Sequence, residues 1–208
     1  MDYKDFIKPG NKVIFYPMSF EWSNNLDVDP QVVTIGEYRP YYTDGSPDPT
    51  PEQYCEWCRV EIVENIHGES QIRLEDLFPI EPCDKDVVYS GKEYKQIGKN
   101  DELEIAVLWL NDDEWELARY DHIQERRFIH QLDSEELCRL FNQVGVGSMF
   151  TSDYMNDLGI PETEAMAEIE EFCESNDWDD DFCCAANFVD YVLACPLSAG
   201  VLCRTSVG

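Results

Sequence analysis

Apolar positions in the first third of the chain recur in short runs that turn residues separate. The runs are rich in β-branched and aromatic residues, and Gly, Pro, Asn or Asp bound them, which is typical of β-strands. The stretch from Tyr41 to Pro51 contains three prolines and Asp44-Gly45, so it predicts a long, partly stiff loop. The strands are predicted at residues 12–16, 32–35, 59–63 and 71–74.

In the next part of the chain, a polar segment is followed by two apolar runs. Residues 83–100 are mostly polar and contain Gly91 and Gly98, and they predict a connector. Two apolar runs, 103–110 and 115–120, then flank an acidic turn at 111–114. This arrangement predicts a second β-hairpin with a four-residue loop.

From Asp133 onward the apolar period changes from two to about 3.6 residues, which predicts helices. Asp133 is a good N-cap with Glu136 three residues later, as in a capping box, and Gly145 ends that helix. A short helix is predicted at 152–158, and another begins at Pro161. The last begins near Asp177 and ends before Pro196.

The N-terminal strands resemble the small SH3-like barrels of the Tudor or KOW type. Three segments carry the resemblance: Pro9-Gly10-x-Lys12-Val13, the hairpin from 60–63 to 71–74, and the closing segment 74–80. The resemblance covers residues 9–82, and the long insertion between Ile35 and Cys55 departs from it. It implies a fold used mostly for binding, and no particular chemistry.

These patterns together predict an α+β protein. An N-terminal SH3-like small β-barrel is followed by a β-hairpin and an acidic helical C-terminal lobe. The predicted organisation is a barrel at 1–82, a connector at 83–100, the hairpin and acidic helices at 101–196, and a tail at 197–208.

Charge changes the picture, because 44 Asp and Glu against 15 Lys and Arg give a net charge of −29. Such a chain repels nucleic acid backbones and anionic membranes, which excludes both as direct partners. Residues 101–208 hold 25 acids and 5 bases, a net of −20, so most of the excess lies in the second half. Between Arg139 and Arg204 there is no Lys, Arg or His.

The stretch without bases contains the candidate binding residues. Glu164, Glu168 and Glu171 recur at i, i+4 and i+7, so they are predicted to follow one helix face with neighbours about 5–6 Å apart at Cβ. Such a row of carboxylates resembles the phosphates of a nucleic acid. We therefore expect these residues to dock on, and inhibit, a basic nucleic-acid-handling protein. The full candidate set is Glu164, Glu168, Glu171, Asp177, Asp179, Asp180 and Asp181.

Three other interpretations stay open. In the first, the acidity only keeps the surface solvated, and the barrel of a phage or mobile-element accessory protein binds a protein partner. In the second, the acidity is an adaptation to high salt. In the third, surplus carboxylates serve a metal-dependent hydrolase, although no motif supports one.

Motifs that would indicate catalysis are largely missing. Cys55-Glu56-Trp57-Cys58 is the only CxxC, and it precedes a predicted strand rather than a helix. The motif therefore favours two ordinary cysteines of the barrel over a structural zinc site or a redox site. The run 177–181 begins like a calcium loop, but Phe182 and Phe188 occupy the Gly and Glu positions that such a loop requires. We therefore expect a non-enzymatic protein with no cofactor and no metal.

The N-terminal residues, the length of the apolar stretches and the cysteine count bear on the compartment of the protein. The N-terminus has no basic and apolar signal-peptide pattern, and no apolar stretch is long enough to cross a membrane. Nine cysteines, an odd number, are interpreted as mostly reduced thiols, with Cys138 and Cys173 on apolar helix faces. These features predict a cytoplasmic protein.

Overall fold

The computed structural model describes residues 2–19, 28–111, 114–145, 150–175 and 185–194, and it forms two compact units. Unit 1 comprises Met1–Asp84 and Gln96–Ala118, and unit 2 comprises Lys85–Lys95 and Arg119–Gly208. Helices and antiparallel strands both occur, and the strands curl into a half-barrel. The predicted α+β class is confirmed.

The N-terminal strands form a three-stranded sheet and a separate two-stranded hairpin. β1 lies between β2 and β5 in a three-stranded antiparallel sheet, and β3 pairs with β4 as a hairpin. A single 3₁₀ turn, Leu74–Asp76, separates β4 from β5. The elements are a short helix α1 (Tyr3–Phe6), β1 (Lys12–Phe15), β2 (Gln31–Thr34), β3 (Arg59–Ile66), β4 (Glu69–Arg73) and β5 (Leu77–Pro79).

Alternating apolar residues explain why these strands pack together. Val13 and Phe15 on β1, and Val60 and Ile62 on β3, are buried in one cluster. Residues on the two faces of a strand alternate, so each of these pairs points to the same side. The loop predicted between Tyr41 and Pro51 lacks regular structure apart from an isolated bridge at Tyr41, and a 3₁₀ turn begins at Pro51.

The predicted connector 83–100 is instead two long strands, β6 (Glu81–Tyr89) and β7 (Lys92–Asn100). Along β7 the buried side of the strand carries Tyr94, Gln96 and Asn100, two of them polar. The alternation of buried and exposed residues along β7 is therefore not visible as an alternation of apolar and polar residues. The buried Asn100 side-chain amide has partners for both of its polar atoms. Its N–H donates to the Pro79 carbonyl at 2.9 Å, and its oxygen accepts the Leu103 N–H at 2.9 Å.

The second hairpin lies where the sequence predicted it, but Asn111 and Glu114 belong to its strands, so the predicted four-residue loop at 111–114 is wrong. Its strands are β8 (Ile105–Asn111) and β9 (Glu114–Arg119), while loop residues 112 and 113 lie outside the described part of the chain. Strand β10 (Ile123–Glu125) pairs with β6, and the sheet has the order β10-β6-β7-β8-β9. The unit boundaries fall within β6 and β7 and near the end of β9.

Unit 2 contains four helices among its described residues. They are α2 (Ser134–Gly145), α3 (Thr151–Leu158), α4 (Glu162–Ser175) and α5 (Ala185–Ala194). The capping box at α2 is confirmed, because the Asp133 carboxylate accepts the Glu136 N–H at 2.8 Å and the Glu136 carboxylate accepts the Asp133 N–H at 2.9 Å. The predicted start of the last helix near Asp177 and the predicted tail lie outside the described residues.

Aromatic packing holds the helices of unit 2 together. The rings of Phe141, Phe172 and Phe188 come from α2, α4 and α5, with centroids 5.2 to 6.2 Å apart. Such pairs add to the stabilisation from apolar burial. Cys138 and Cys173 are partly buried against the same cluster, so their predicted place on apolar helix faces is confirmed.

Candidate functional site

Helix α4 carries most of the acidic residues that the structure describes in the stretch without bases. Its inward face consists of Ala165, Ile169 and Phe172, all buried. The first turn is anchored because the Glu162 N–H donates to the Gly91 carbonyl at 2.7 Å, in the turn between β6 and β7. The opposite face of α4 is therefore held towards solvent by packing within unit 2.

Glu164 is not on that exposed face, which corrects the expectation for this residue. Its side chain is only 7% exposed, and its carboxylate lies 2.9 Å from the Arg126 guanidinium. Arg126 is also 2.6 Å from Glu93, and it lies over the Phe128 ring at 4.7 Å. An ion pair between residues 38 positions apart could not be seen in helix periodicity. Glu164 therefore serves the internal packing of unit 2.

The other candidate residues divide into three groups. Glu168 is half-buried, and Glu171 is exposed. Asp177, Asp179, Asp180 and Asp181 lie outside the described residues. Glu170 and Glu174, which the sequence stripe did not include, are exposed beside Glu171. The signal that could have found them is the spacing of four residues between Glu170 and Glu174 and of three between Glu171 and Glu174.

We call Glu170, Glu171 and Glu174 the α4 acidic face. Within the described part of the chain, none of the three side chains has a hydrogen bond or ion pair. At 1.5 Å of rise per residue, the three carboxylates span about 6 Å of helix axis, or one charge per roughly 2–3 Å. Duplex DNA carries one charge per about 1.7 Å of axis, and one strand carries one per about 3.4 Å. The α4 acidic face thus has a charge density in the range of a nucleic acid backbone.

The locally basic stretch before α2 is ion-paired. Arg127 donates to both carboxylate oxygens of Glu136, at 2.9 and 3.1 Å. The hydrogen bonds from Arg127, together with the Asp133 N–H, lower the pKa of the Glu136 carboxyl below its ordinary value. The imidazole of His122 lies 3.8 Å from Asp121, and both side chains are exposed. This geometry stabilises the start of α2 and assembles no nucleophile and base.

Cys55 and Cys58 lie on the turn that precedes β3. The Cys58 N–H donates to the Cys55 carbonyl at 3.0 Å, and the two sulfurs are 3.7 Å apart. Cys58 is buried, and Cys55 is half-buried. Burial raises the pKa of the Cys58 thiol. Among the described residues, no group of three or more His, Cys, Asp or Glu side chains is arranged to hold a metal ion.

A groove in unit 1 is a second candidate site that sequence reasoning missed. It has a volume of about 310 Å³, and the ammonium group of Lys12 lies 4.2 Å from the centre of the Trp115 ring within it. Strand β2 and strand β9, which both contribute to the lining, are edge strands of their sheets. The lining residues are Lys12, Pro30, Gln31, Val32, Glu64, Trp115, Glu116 and Leu117.

The backbone of β2 offers hydrogen-bonding groups at this groove. The Thr34 N–H donates to the Glu64 carboxylate at 2.7 Å, so it points away from β1. In an antiparallel pair, residues two apart present their N–H and C=O groups to the same side. The N–H and C=O of Val32 therefore also face away from β1. An edge strand with a Trp side chain nearby can accept an added extended strand.

No protein-family model matches the chain, and no significant match exists among curated proteins. Within the described residues, no helix combines the length and the apolar character needed to cross a membrane.

Proposed function

We propose that this chain is a non-enzymatic acidic binding protein that docks on a basic nucleic-acid-handling protein and inhibits it. The observation that carries the proposal is the α4 acidic face, Glu170, Glu171 and Glu174, exposed in a stretch of 64 residues without Lys, Arg or His. A basic protein surface that binds phosphates supplies the cations that this face lacks. Long-range attraction between the two surfaces would also speed association at low salt.

Ion-pair use elsewhere in unit 2 supports this proposal. The basic residues Arg126 and Arg127 are already engaged with Glu93, Glu164 and Glu136. These two guanidinium groups are therefore engaged with internal carboxylates and leave the α4 acidic face open to the cations of a partner. Like charges at i, i+3 and i, i+4 destabilise a helix by about 0.2–0.5 kcal/mol per pair, which is a cost that partner binding would offset.

The experiment compares two variants that remove three negative charges each. The first changes Glu170, Glu171 and Glu174 to Gln. The control changes Glu37, Glu52 and Glu69 to Gln, all exposed and in unit 1. Each protein is immobilised and exposed to a host lysate with and without excess duplex DNA. We expect the wild type and the control to capture a nucleic-acid-binding protein that DNA displaces, and the α4 variant to lose most of that capture.

Loss of fold does not explain such a result, because the α4 variant relieves repulsion within the helix. We expect it to be about 0.5–1 kcal/mol more stable than the wild type, from two like-charge pairs. Capture that is undiminished in the α4 variant would contradict the proposal. So would capture that resists about 0.5 M NaCl, where the Debye length is only about 4 Å.

The groove of unit 1 favours a second candidate function. Here the chain is a phage or mobile-element accessory protein, its SH3-like module binds an extended segment of a protein partner along β2, and the acidity is only solvation. Trp115→Ala removes the ring in the groove, and Trp57→Ala removes an exposed ring in the turn before β3 as a control. In this function Trp115→Ala abolishes partner capture, whereas the α4 variant and Trp57→Ala leave it intact.

A further inference from the structure

The turn that contains Cys55 and Cys58 brings two thiols together outside both surfaces considered above. The hydrogen bond from the Cys58 N–H to the Cys55 carbonyl closes a β-turn, whose end Cα atoms lie within about 7 Å of each other. The sulfurs are 3.7 Å apart, and the ring of Tyr42 packs against the same cluster of residues. Trp57, 64% exposed, is at the outer side of this turn.

The geometry suits a bond between the two sulfurs. A disulfide needs Cα atoms about 4.4–6.8 Å apart and sulfurs about 2.05 Å apart. The two sulfurs therefore have to approach each other by roughly 1.7 Å, which rotation about the Cα–Cβ bonds can supply. A structural zinc ion needs four ligands. Among the residues that the structure describes, no third His, Cys, Asp or Glu side chain joins these two thiols.

We propose that Cys55 and Cys58 form a thiol–disulfide exchange site that reacts with small disulfides such as oxidised glutathione. Cys55 is the more exposed of the two and reacts first. Its thiol loses a proton to water, and the thiolate attacks one glutathione sulfur, which breaks the glutathione disulfide and releases one glutathione thiolate. The product is a mixed disulfide at Cys55.

Cys58 completes the exchange. Its thiol loses a proton, and the sulfur attacks the Cys55 sulfur, which breaks the mixed disulfide and releases a second glutathione thiolate. The two released thiolates take up two protons. The protein dithiol has then lost two electrons, and one glutathione disulfide has been reduced to two glutathione molecules. The bridge closes the turn directly before β3.

The test uses the full chain, incubated with excess oxidised glutathione and then alkylated. Trypsin produces a peptide from Val13 to Arg59 that contains Cys55 and Cys58 and no other cysteine, since the Arg39-Pro40 bond resists cleavage. We expect this peptide to carry no alkyl label and to be lighter than the unlabelled dithiol peptide by the mass of two hydrogen atoms, and reduction followed by a second alkylation to place both labels. Cys55→Ser should leave Cys58 alkylated, and Cys138→Ser should behave as the wild type.

Two results would overturn the proposal. The first is a wild-type peptide that keeps both labels, or stops at a glutathione adduct on Cys55, in excess oxidised glutathione. The second is one equivalent of tightly held zinc in the full chain that Cys55→Ser removes, because the two thiols would then be metal ligands.

Discussion

Replacing Arg126 with Met is expected to destabilise the helices of unit 2 far more than replacing an exposed cation does. Arg126 is 25% exposed and pairs with Glu164, which is 7% exposed, and with Glu93, which is 51% exposed. Without Arg126, the Glu164 carboxylate stays buried with no cation beside it. Glu93 loses less, because water solvates it. The cost of Arg126→Met therefore falls mainly on Glu164.

The magnitude follows from the burial of Glu164. Removing one partner of a buried ion pair costs about 3–5 kcal/mol, and the partial exposure of Arg126 lowers this to roughly 2–4 kcal/mol. Glu164→Gln alone leaves Arg126 paired with Glu93 and costs about 1–2 kcal/mol. The double variant has no buried unpaired charge. It should therefore be about 1–2 kcal/mol more stable than Arg126→Met alone, although it carries one substitution more.

The assay is urea unfolding followed by far-ultraviolet circular dichroism, which reports mainly on unit 2 because α2 to α5 lie there. Lys85→Met is the control, since its pair with Glu125 is 56% and 81% exposed and contributes about 0–1 kcal/mol. The reasoning is refuted if Arg126→Met costs no more than Lys85→Met. It is also refuted if the double variant is less stable than Arg126→Met.

Further predictions concern single sites in each unit. Asp76 is fully buried, and desolvation raises the pKa of its carboxyl above the ordinary 3.8. A raised folded-state pKa gives stability that is present below the unfolded pKa and lost as pH rises through the folded one. The stability of the wild type relative to Asp76→Asn should therefore fall as pH rises from 3.8 upward, measured by urea unfolding across that range; a flat or rising difference would be evidence against this. Gly159 has φ +66°, and a Cβ there would clash with the Glu125 carbonyl oxygen, so Gly159→Ala should cost well over the roughly 1 kcal/mol expected for Gly45→Ala, which has open space around it. Equal melting temperatures for these two glycine variants would contradict that difference. Lys12→Met removes the cation over Trp115 and should lower the unfolding free energy of unit 1 by about 0.5–1 kcal/mol. An unchanged unfolding free energy would contradict a stabilising cation–π contact.

The parts of the fold that sequence could predict are those in which hydrophobic period and capping agree. The helix at Ser134–Gly145 combined an apolar 3.6-residue period with the Asp133–Glu136 capping box, and both are present in the structure. Strand β7 was missed because buried Gln96 and Asn100 break the apolar alternation, and β6 was missed because only its Val87 and Val88 are buried. The burial of Asn100 depends on its hydrogen bond to the Pro79 carbonyl, 21 residues away, which a local pattern does not contain.

The candidate surface was only partly predictable for a similar reason. Periodicity placed Glu164 and Glu171 on one helix side, but it contained no information on Arg126, which lies 38 residues before Glu164. Tertiary packing removed Glu164 from the surface, while Glu170 and Glu174 remained exposed. The groove between β2 and β9 could not be predicted from the sequence for the same reason, because its lining residues come from distant parts of the chain.

The central proposal is that the α4 acidic face occupies the nucleic-acid site of a basic protein. The most direct measurement adds this chain to a complex of the captured protein with fluorescently labelled duplex DNA and follows the anisotropy of the DNA. We expect full displacement of the DNA by the wild type, and a concentration for half displacement that rises about 10–100-fold in the Glu170, Glu171 and Glu174 to Gln variant, from three charges of roughly 0.5–1 kcal/mol each. A stable ternary complex with DNA still bound, or equal displacement by the variant, would contradict the proposal.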